Sequence, residues 1–214
     1  MKKILASFGF ENHAKMLAIS SPSFMFYANK FNYDLFFPCE SFFSDSIKSR
    51  PFSWWKIELI TDLLHDYDRV LWLDSDVIIC KFDQDINNDL DNNDHFGLVV
   101  HQLVEGFVPN CGVWIVDKKS LSWLDQLWNY DNLSRSHDWW EQNALMEFIG
   151  IDSSNTPITI PKKSKIPWKS LAYYWNNNIM DKRRICSDLK FFHSSKCNDR
   201  LKTMQILANS ITYE

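Results

Sequence analysis

The 214-residue sequence predicts an α/β fold in one domain, with a mixed, mostly parallel sheet flanked by helices. Three observations predict it. Short apolar runs alternate with segments of helical spacing through the first half. Only five Gly and seven Pro occur, so no stretch reads as a flexible linker, and no internal repeat is present. The composition is 45% hydrophobic and 23% charged, which is globular rather than disordered. A chain of this length buries roughly 70% of its unfolded surface and needs no disulfide.

The elements follow in order. Ile4 to Phe8 reads as a first strand ending in a loop at Gly9. His13 to Phe31 has helical spacing and predicts a helix broken near Pro22. Leu35 to Phe37 is a second short strand. Ser53 to His65 is a helix with Ser53 as N-cap, and Ile57, Ile60, Leu63 and Leu64 share its apolar face. Arg69 to Leu73 is an apolar run bounded by charge, the pattern of a buried parallel strand, with Trp72 in the core. Val77 to Ile79, Phe96 to Val100, Val113 to Val116 and Leu189 to His193 are further strands. Lys118 to Asn129, Asp138 to Phe148 and Asp199 to Ala208 are helices. The Asn/Asp-rich segment from Asp83 to Asp94 predicts a surface turn region. A calcium loop there lacks its central glycine and closing glutamate.

A net charge of −4 argues against nucleic acid as a partner. The basic runs Lys162, Lys163, Lys165 and Lys182, Arg183, Arg184 read as solvated loop charge, or as attraction for one anionic ligand such as a nucleotide. Cys39, Cys80, Cys111, Cys186 and Cys197 are odd in number and form no Cys-x-x-Cys pair, so reduced thiols are expected. Met1 to Phe10 is too short for a signal peptide, and nothing approaches the ~20 apolar residues of a membrane span. A cytoplasmic chain, at most peripheral to a membrane, is therefore expected.

The chemistry concentrates at Val70-Leu-Trp-Leu-Asp74-Ser75-Asp76. Two carboxylates stand two residues apart at the carboxyl end of a buried strand, where open α/β sheets bind ligands. Such a pair repels unless a cation neutralises it, and hard oxygen ligands suit Mg²⁺ or Mn²⁺. His193, ending the late strand, offers a third ligand and tilts the choice toward Mn²⁺. The bland alternative is a turn whose Asp side chains cap backbone amides. Lys56 can reach a diphosphate as a point charge. Gly112 permits close approach of a ligand, and Asn110 can hydrogen-bond hydroxyls in both directions. Glu141 and Gln142 lie near the start of a helix. In the pairs Trp54-Trp55 and Trp139-Trp140, one ring of each is expected in the core and the other free to stack on sugar. Glu105 and Asp138 are further carboxylates near the presumed site. His65, His95, His101 and His137 read as structural or solvated.

Tyr27-Ala-Asn-Lys30, Trp54-Trp-Lys56, Tyr67-Asp-Arg-Val-Leu-Trp-Leu-Asp74-Ser-Asp76, Asn110-Cys-Gly112, Trp140-Glu141-Gln142 and His193 follow one another in a telling order. Over roughly residues 25 to 200 the chain resembles GT-A-fold glycosyltransferases. It is most similar to the galactosyl- and mannosyltransferase family that includes xyloglucan xylosyltransferases, and more distantly to glycogenin-like enzymes. The resemblance implies a Rossmann-like GT-A domain in which residues 1–110 carry the Asp-Ser-Asp motif and bind the nucleotide, while residues 111–214 serve the donor sugar and acceptor. It implies metal ligands at Asp74, Asp76 and His193, with Asp74 and Ser75 near the donor ribose. Asn110 and Gly112 would line the sugar pocket. Glu141 and Gln142, with Asp138 close by, would sit at the reacting sugar carbon, and the transfer would retain configuration. Where glycogenin-like chains have a glycine three residues after the histidine, this chain has Lys196, so Lys196 or Arg200 would contact the phosphate. The implied substrates are a nucleotide-diphosphate sugar and a saccharide or other hydroxyl acceptor.

Two rival functions share the motif. Haloacid-dehalogenase-like phosphatases also place Asp-x-Asp-x-Val after a buried strand, but there it is the first strand, and no later Gly-Asp-x-x-x-Asp is found here. A non-catalytic sugar-nucleotide-binding protein on a transferase fold would bind the donor without transfer.

Overall fold

The computed structural model describes residues 1–130, 140–154, 156–183, 187–195 and 197–213. Asp138 and Lys196 lie outside the described residues, as do Trp139, His137, Arg184 and Cys186.

Eight strands are present among the described residues: β1 (Lys3–Ala6), β2 (Asp34–Phe36), β3 (Arg69–Leu73), β4 (Val77–Ile79), β5 (Phe96–Leu103), β6 (Gly106–Asp117), β7 (Trp168–Leu171) and β8 (Phe191–His193). The helices are α1 (Asn12–Phe31), α2 (Asp45–Lys48), α3 (Trp55–Asp66), α4 (Leu121–Trp128), α5 (Trp140–Phe148) and α6 (Arg200–Ser210). Six strands form one sheet in the order β2-β1-β3-β6-β5-β7, and β4 pairs with β8 in a second, small sheet. In the large sheet β6 alone runs against the others. The expected mixed, mostly parallel sheet flanked by helices is therefore present. No helix among the described residues is long and apolar enough to cross a membrane.

β3 is central and fully buried, so its alternating side chains feed two separate cores. Val70 and Trp72 face the layer of α3, α4 and α5 with Ile57, Trp114 and Leu145. Leu71 and Leu73 face α1 with Phe24, Tyr27 and Phe191. The tip of β3 is thus clamped from both sides, which fixes where Asp74 begins.

Several elements differ from the sequence expectation. Helix α1 runs through Pro22 without a break. Proline denies the carbonyl four residues back its bond, but tertiary contacts hold the helix across the gap. Ser20 Oγ donates to the Ser75 carbonyl at 3.0 Å, Ser23 Oγ accepts from Ile79 N–H at 3.3 Å, and Phe24 and Tyr27 are buried beyond. Ser53 is not an N-cap. A 3₁₀ turn, Phe52–Trp54, precedes α3 and leaves Ser53 Oγ buried without a partner. β5 and β6 are longer than expected and form a hairpin turned at Val104 and Glu105. The pairing jumps from Leu98↔Trp114 to Val99↔Asn110, so a bulge at Cys111, Gly112 and Val113 interrupts the ladder while Asn110 and Pro109 stay paired with Val99 and Val100. β7 is an edge strand with one partner, too short and polar to stand out in the sequence. The acidic segment near Asp85 is an anchor rather than a free surface turn. Asp85 accepts from Lys3 Nζ at 2.7 Å and Tyr33 Oη at 2.6 Å, and Asp83 receives Lys190 Nζ at 2.6 Å.

Candidate active site

The site is assembled by backbone before side chains enter. Asp74 N–H donates to the Gly112 carbonyl at 2.8 Å, tying the tip of β3 to the β6 bulge. The chain then turns, with Val77 N–H on the Asp74 carbonyl at 3.0 Å, into β4. Val77 pairs with His193 across the small sheet, and Ser194 N–H donates to the Asp76 carbonyl at 3.0 Å. Asp76 and His193 therefore stand on neighbouring rungs, although they are far apart in the chain.

His193 Nε2 lies 3.2 Å from Asp76 Oδ1 and 4.0 Å from Asp74 Oδ2. One ligand atom from each of the three residues falls within 4.8 Å of the others. Asp76 and His193 are buried, while Asp74 is partly open to the cavity. Burial raises the Asp76 carboxyl, but the His193 imidazole and the Arg200 guanidinium more than offset this and hold it at about 2. Burial lowers the His193 imidazole, yet Asp76 and then Asp74 lift it above its ordinary value. The donor set of two carboxylate oxygens and one imidazole nitrogen fits a divalent cation.

Lys56 is not where the sequence placed it. It is 3% exposed. Its Nζ lies 2.8 Å from Asp74 Oδ1 and 3.0 Å from Glu141 Oε1. Burial lowers its pKa, but those two carboxylates push it above the ordinary lysine range. Lys56 is consumed beneath the site rather than offered to a diphosphate. The same ammonium binds Glu141, which lines the cavity as a largely buried ion-pair partner. Trp72 Nε1 donates to Asp74 Oδ1 at 2.7 Å, so only Oδ2 of Asp74 faces His193.

Gly112 also has a different reason from the expected ligand approach. A Cβ there would meet His193 Cε1 at 2.3 Å and Nδ1 at 2.6 Å, so the imidazole fills the space a side chain would take. Asn110 and Gln142 do come together. Asn110 Nδ2 donates to Gln142 Oε1 at 3.1 Å, and both residues line the cavity. Arg200 sits at the edge, its Nη1 3.5 Å from Asp76 Oδ2 and its Nη2 on the Ser195 carbonyl at 2.6 Å. Ser75 is buried and meets His13 Nδ1 through its Oγ at 3.1 Å.

These residues surround a cavity of about 530 Å³. A recess of about 180 Å³ beside it is walled by Phe8, Phe52 and Trp72 and shares His13, Asp74, Asp76 and Trp140 with the larger space. Trp54 and Trp55 are both core residues, so neither is free to stack on sugar. Both indoles are claimed by packing, Trp54 against Trp128 and Trp55 against Phe43 and Phe52. Trp140 is 42% exposed at the mouth of the cavity, as one ring of its pair was expected to be. Glu105, at the hairpin tip, also lines the space. His13, Asn178 and Ser195 belong to the lining and were missed. For His13 a signal existed: it opens the helix after the first strand, a usual ligand position in α/β sheets. His101 is buried with its Nε2–H on the Asn176 carbonyl at 2.8 Å, and it too belongs to the cavity lining.

No protein-family model and no curated protein sequence matches the chain. Solved structures do. A glycosyltransferase involved in glycosylation of the major capsid of PBCV-1 superposes with a TM-score of 0.70 at 17% identity, over 96% of this chain and 100% of that one. The chain has the GT-A glycosyltransferase fold. Glycosyltransferase GlyE of Streptococcus pneumoniae shares this GT-A fold at TM-score 0.64 and 14% identity, over all of this chain and 62% of that one. The galactosyltransferase LgtC, solved with donor and acceptor sugar analogues, matches at TM-score 0.57 and 13% identity, over 99% and 96% of the two chains. At these identities the likeness is one of fold, and the GT-A frame places the Asp-Ser-Asp turn beside the cavity described above.

Proposed function

We propose that the protein is a glycosyltransferase that moves a hexose or pentose from a nucleotide-diphosphate sugar to a saccharide or other hydroxyl acceptor. The observation that carries this reading is the convergence of Asp74, Asp76 and His193 at one point in the wall of a cavity large enough for a sugar nucleotide. Those three residues would hold Mn²⁺ or Mg²⁺. When bound, such a cation neutralises the charge that gathers on the departing diphosphate. Arg200, one of the cavity's cations, would add to that. Residues 1–110 would contribute most nucleotide contacts, and residues 111–214 the sugar and acceptor contacts, with His193 crossing between them. Asn110 and Gln142 line the sugar end. Trp140, Val104 and Met180 form an apolar mouth suited to the flat face of an acceptor ring.

In the reaction the bond from the sugar carbon to the diphosphate oxygen breaks, and its electron pair leaves with the diphosphate. The acceptor oxygen bonds to the same carbon, and its proton passes to the departing diphosphate. The three carboxylates around the cation site are poor candidates for a nucleophile or base, and the fourth cavity carboxylate, Glu105, stands at the exposed hairpin tip. Asp74 and Glu141 are bound to Lys56, and Asp76 to His193 and Arg200. This supports retention, with the leaving group itself as base. The free thiols of Cys39, Cys80, Cys111 and Cys197 support a reducing, cytoplasmic setting.

The test is incubation with UDP- and GDP-sugars, with and without Mn²⁺, reading release of nucleoside diphosphate. D76A should lose about 10²–10³-fold, as when other preorganised electrostatic groups are removed. Hydrolysis of a generic phosphate ester without nucleotide release would favour the phosphatase. Donor binding without turnover would favour a non-catalytic binding protein.

A further inference from the structure

The two ring nitrogens of His193 meet different surroundings. Nε2 faces Asp76 and Asp74. Nδ1 lies against the backbone of β6: the place a Cβ would take at Gly112 is 2.6 Å from Nδ1 and 2.9 Å from Asn110 Oδ1. Nδ1 is buried and has no hydrogen-bond partner among the described residues. That matters for a ligand. When Nε2 gives its lone pair to a cation, the ring's remaining proton sits on Nδ1, and a buried N–H needs an acceptor.

Fixed donors identify that acceptor. Gly112 N–H can only donate, and it reaches Asn110 Oδ1 at 2.9 Å. Asn110 therefore presents its oxygen here, and the group that meets it at 2.8 Å must be the NH₂ of Asn176. With two donors, the Asn110 oxygen is filled. The other end of Asn176 is then its own oxygen. Asn176 is wholly buried, and this oxygen also has no partner among the described residues. Backbone bonds hold Asn176 beside the histidine strand. Asn177 N–H donates to the Phe191 carbonyl at 2.9 Å, and His193 N–H to the Asn177 carbonyl at 2.8 Å. His101 Nε2–H donates to the Asn176 carbonyl at 2.8 Å. One buried donor lacking an acceptor and one buried acceptor lacking a donor thus lie near the same Asn110 oxygen.

We propose that Asn176 is a positioning residue for the cation site: its side-chain oxygen takes the Nδ1–H of His193, directly or across one buried water. This deepens the proposed function and rests on it. The bond keeps the proton off Nε2, so the lone pair there is available between Asp74 and Asp76, and it stops the ring from turning. Being wholly buried, Asn176 acts only through the imidazole.

Spectroscopy of the wild type is the first test, with Zn²⁺ as a diamagnetic stand-in for Mn²⁺. In long-range proton–nitrogen spectra of histidine-labelled chain, H193Q identifies the His193 signals by their loss. The Zn²⁺-loaded wild type should show a ligated Nε2 and an Nδ1–H that persists in water. An Nδ1–H lost to exchange, or zinc on Nδ1, overturns the proposal. Calorimetric titration with Mn²⁺ is the second test. N176A should bind about 10–100-fold more weakly than wild type and lose the protected Nδ1–H. N176D keeps an oxygen for Nδ1 while losing the amide bond to Asn110. It should retain the protected proton and bind Mn²⁺ about 10-fold or more tightly than N176A. N176A binding like wild type overturns the proposal. So does N176D as weak as N176A and without the protected proton, because the loss then traces to the bond with Asn110. A wild type that binds neither ion counts against the cation site itself, and this proposal goes with it.

Discussion

Replacing Gly112 by alanine asks β6 to carry a methyl group where His193 already lies. The added carbon would stand 2.3 Å from Cε1 and 2.6 Å from Nδ1 of the imidazole, and 2.9 Å from Asn110 Oδ1. Carbon atoms in contact sit about 3.5–4.0 Å apart, so the ring must retreat by roughly 1 Å or more. It has little room to do so. His193 is buried, its N–H is held on the Asn177 carbonyl at 2.8 Å, and its neighbour Ser194 is held on Asp76. Overpacking of this kind costs about 1–3 kcal/mol, which lowers the melting temperature of a domain this size by roughly 2–12 °C. The same displacement moves Nε2 relative to Asp76 and Asp74. Disturbing the support of a metal ligand typically costs about 10–100-fold in affinity, and Mn²⁺ binding should fall by that amount. Thermal melting of the metal-free chain and calorimetric Mn²⁺ titration measure the two effects separately. If G112A melts and binds Mn²⁺ like wild type, the argument that glycine is there to house the imidazole is wrong.

Three other outcomes are expected. K56M strands the buried carboxylate of Glu141 and leaves Asp74 half-partnered; it should cost about 3–5 kcal/mol in urea unfolding, and K56M/E141L should recover most of that. His101 is held at about 4, first by burial and then by repulsion from His193. Because its folded value is depressed, the unfolded chain binds a proton that the folded chain does not between about pH 6.5 and pH 4, so stability falls by up to roughly 3 kcal/mol on acidification through that window. H101Q should flatten this part of a stability–pH curve, and an unchanged curve would assign the loss to other groups. W140A removes an exposed ring; it should leave melting within about 2 °C of wild type while raising the KM for acceptor about 3–10-fold, the worth of one stacking contact.

Much of the frame is visible in the sequence because it rests on local pattern. The run Arg69–Leu73 can only be a buried strand, and the carboxylates that follow it must then lie at a sheet end. His193 is legible for the same reason, as the last residue of an apolar run before a polar loop. What is not legible depends on partners remote in sequence. Lys56 looks like a phosphate ligand until Glu141 arrives from α5 to claim it. Pro22 looks like a helix end because the contacts from Ser20 and Ser23 to the β4 region cannot be read from α1. The bulge at Cys111–Val113 has no local signal, because it arises where β6 keeps its pairing with β3 at Val113 and loses its register with β5. Asn176 and Asn178 carry no motif at all; their place in the wall comes from a loop docked by backbone hydrogen bonds.

The pairing of β4 with β8 sets a timetable for the protein's birth. Asp74 and Asp76 emerge from the ribosome early and can be positioned as soon as β3 joins its neighbours. The rung that supplies the imidazole comes almost at the end. Until Phe191–His193 zips onto Val77–Ile79, the acidic turn has no nitrogen donor and one edge of β4 is bare. If Asp74, Asp76 and His193 hold a cation as proposed, competence to capture it is a late event in maturation, and a nascent or truncated chain stopping short of residue 191 would carry all six strands of the large sheet but only two of the three ligands.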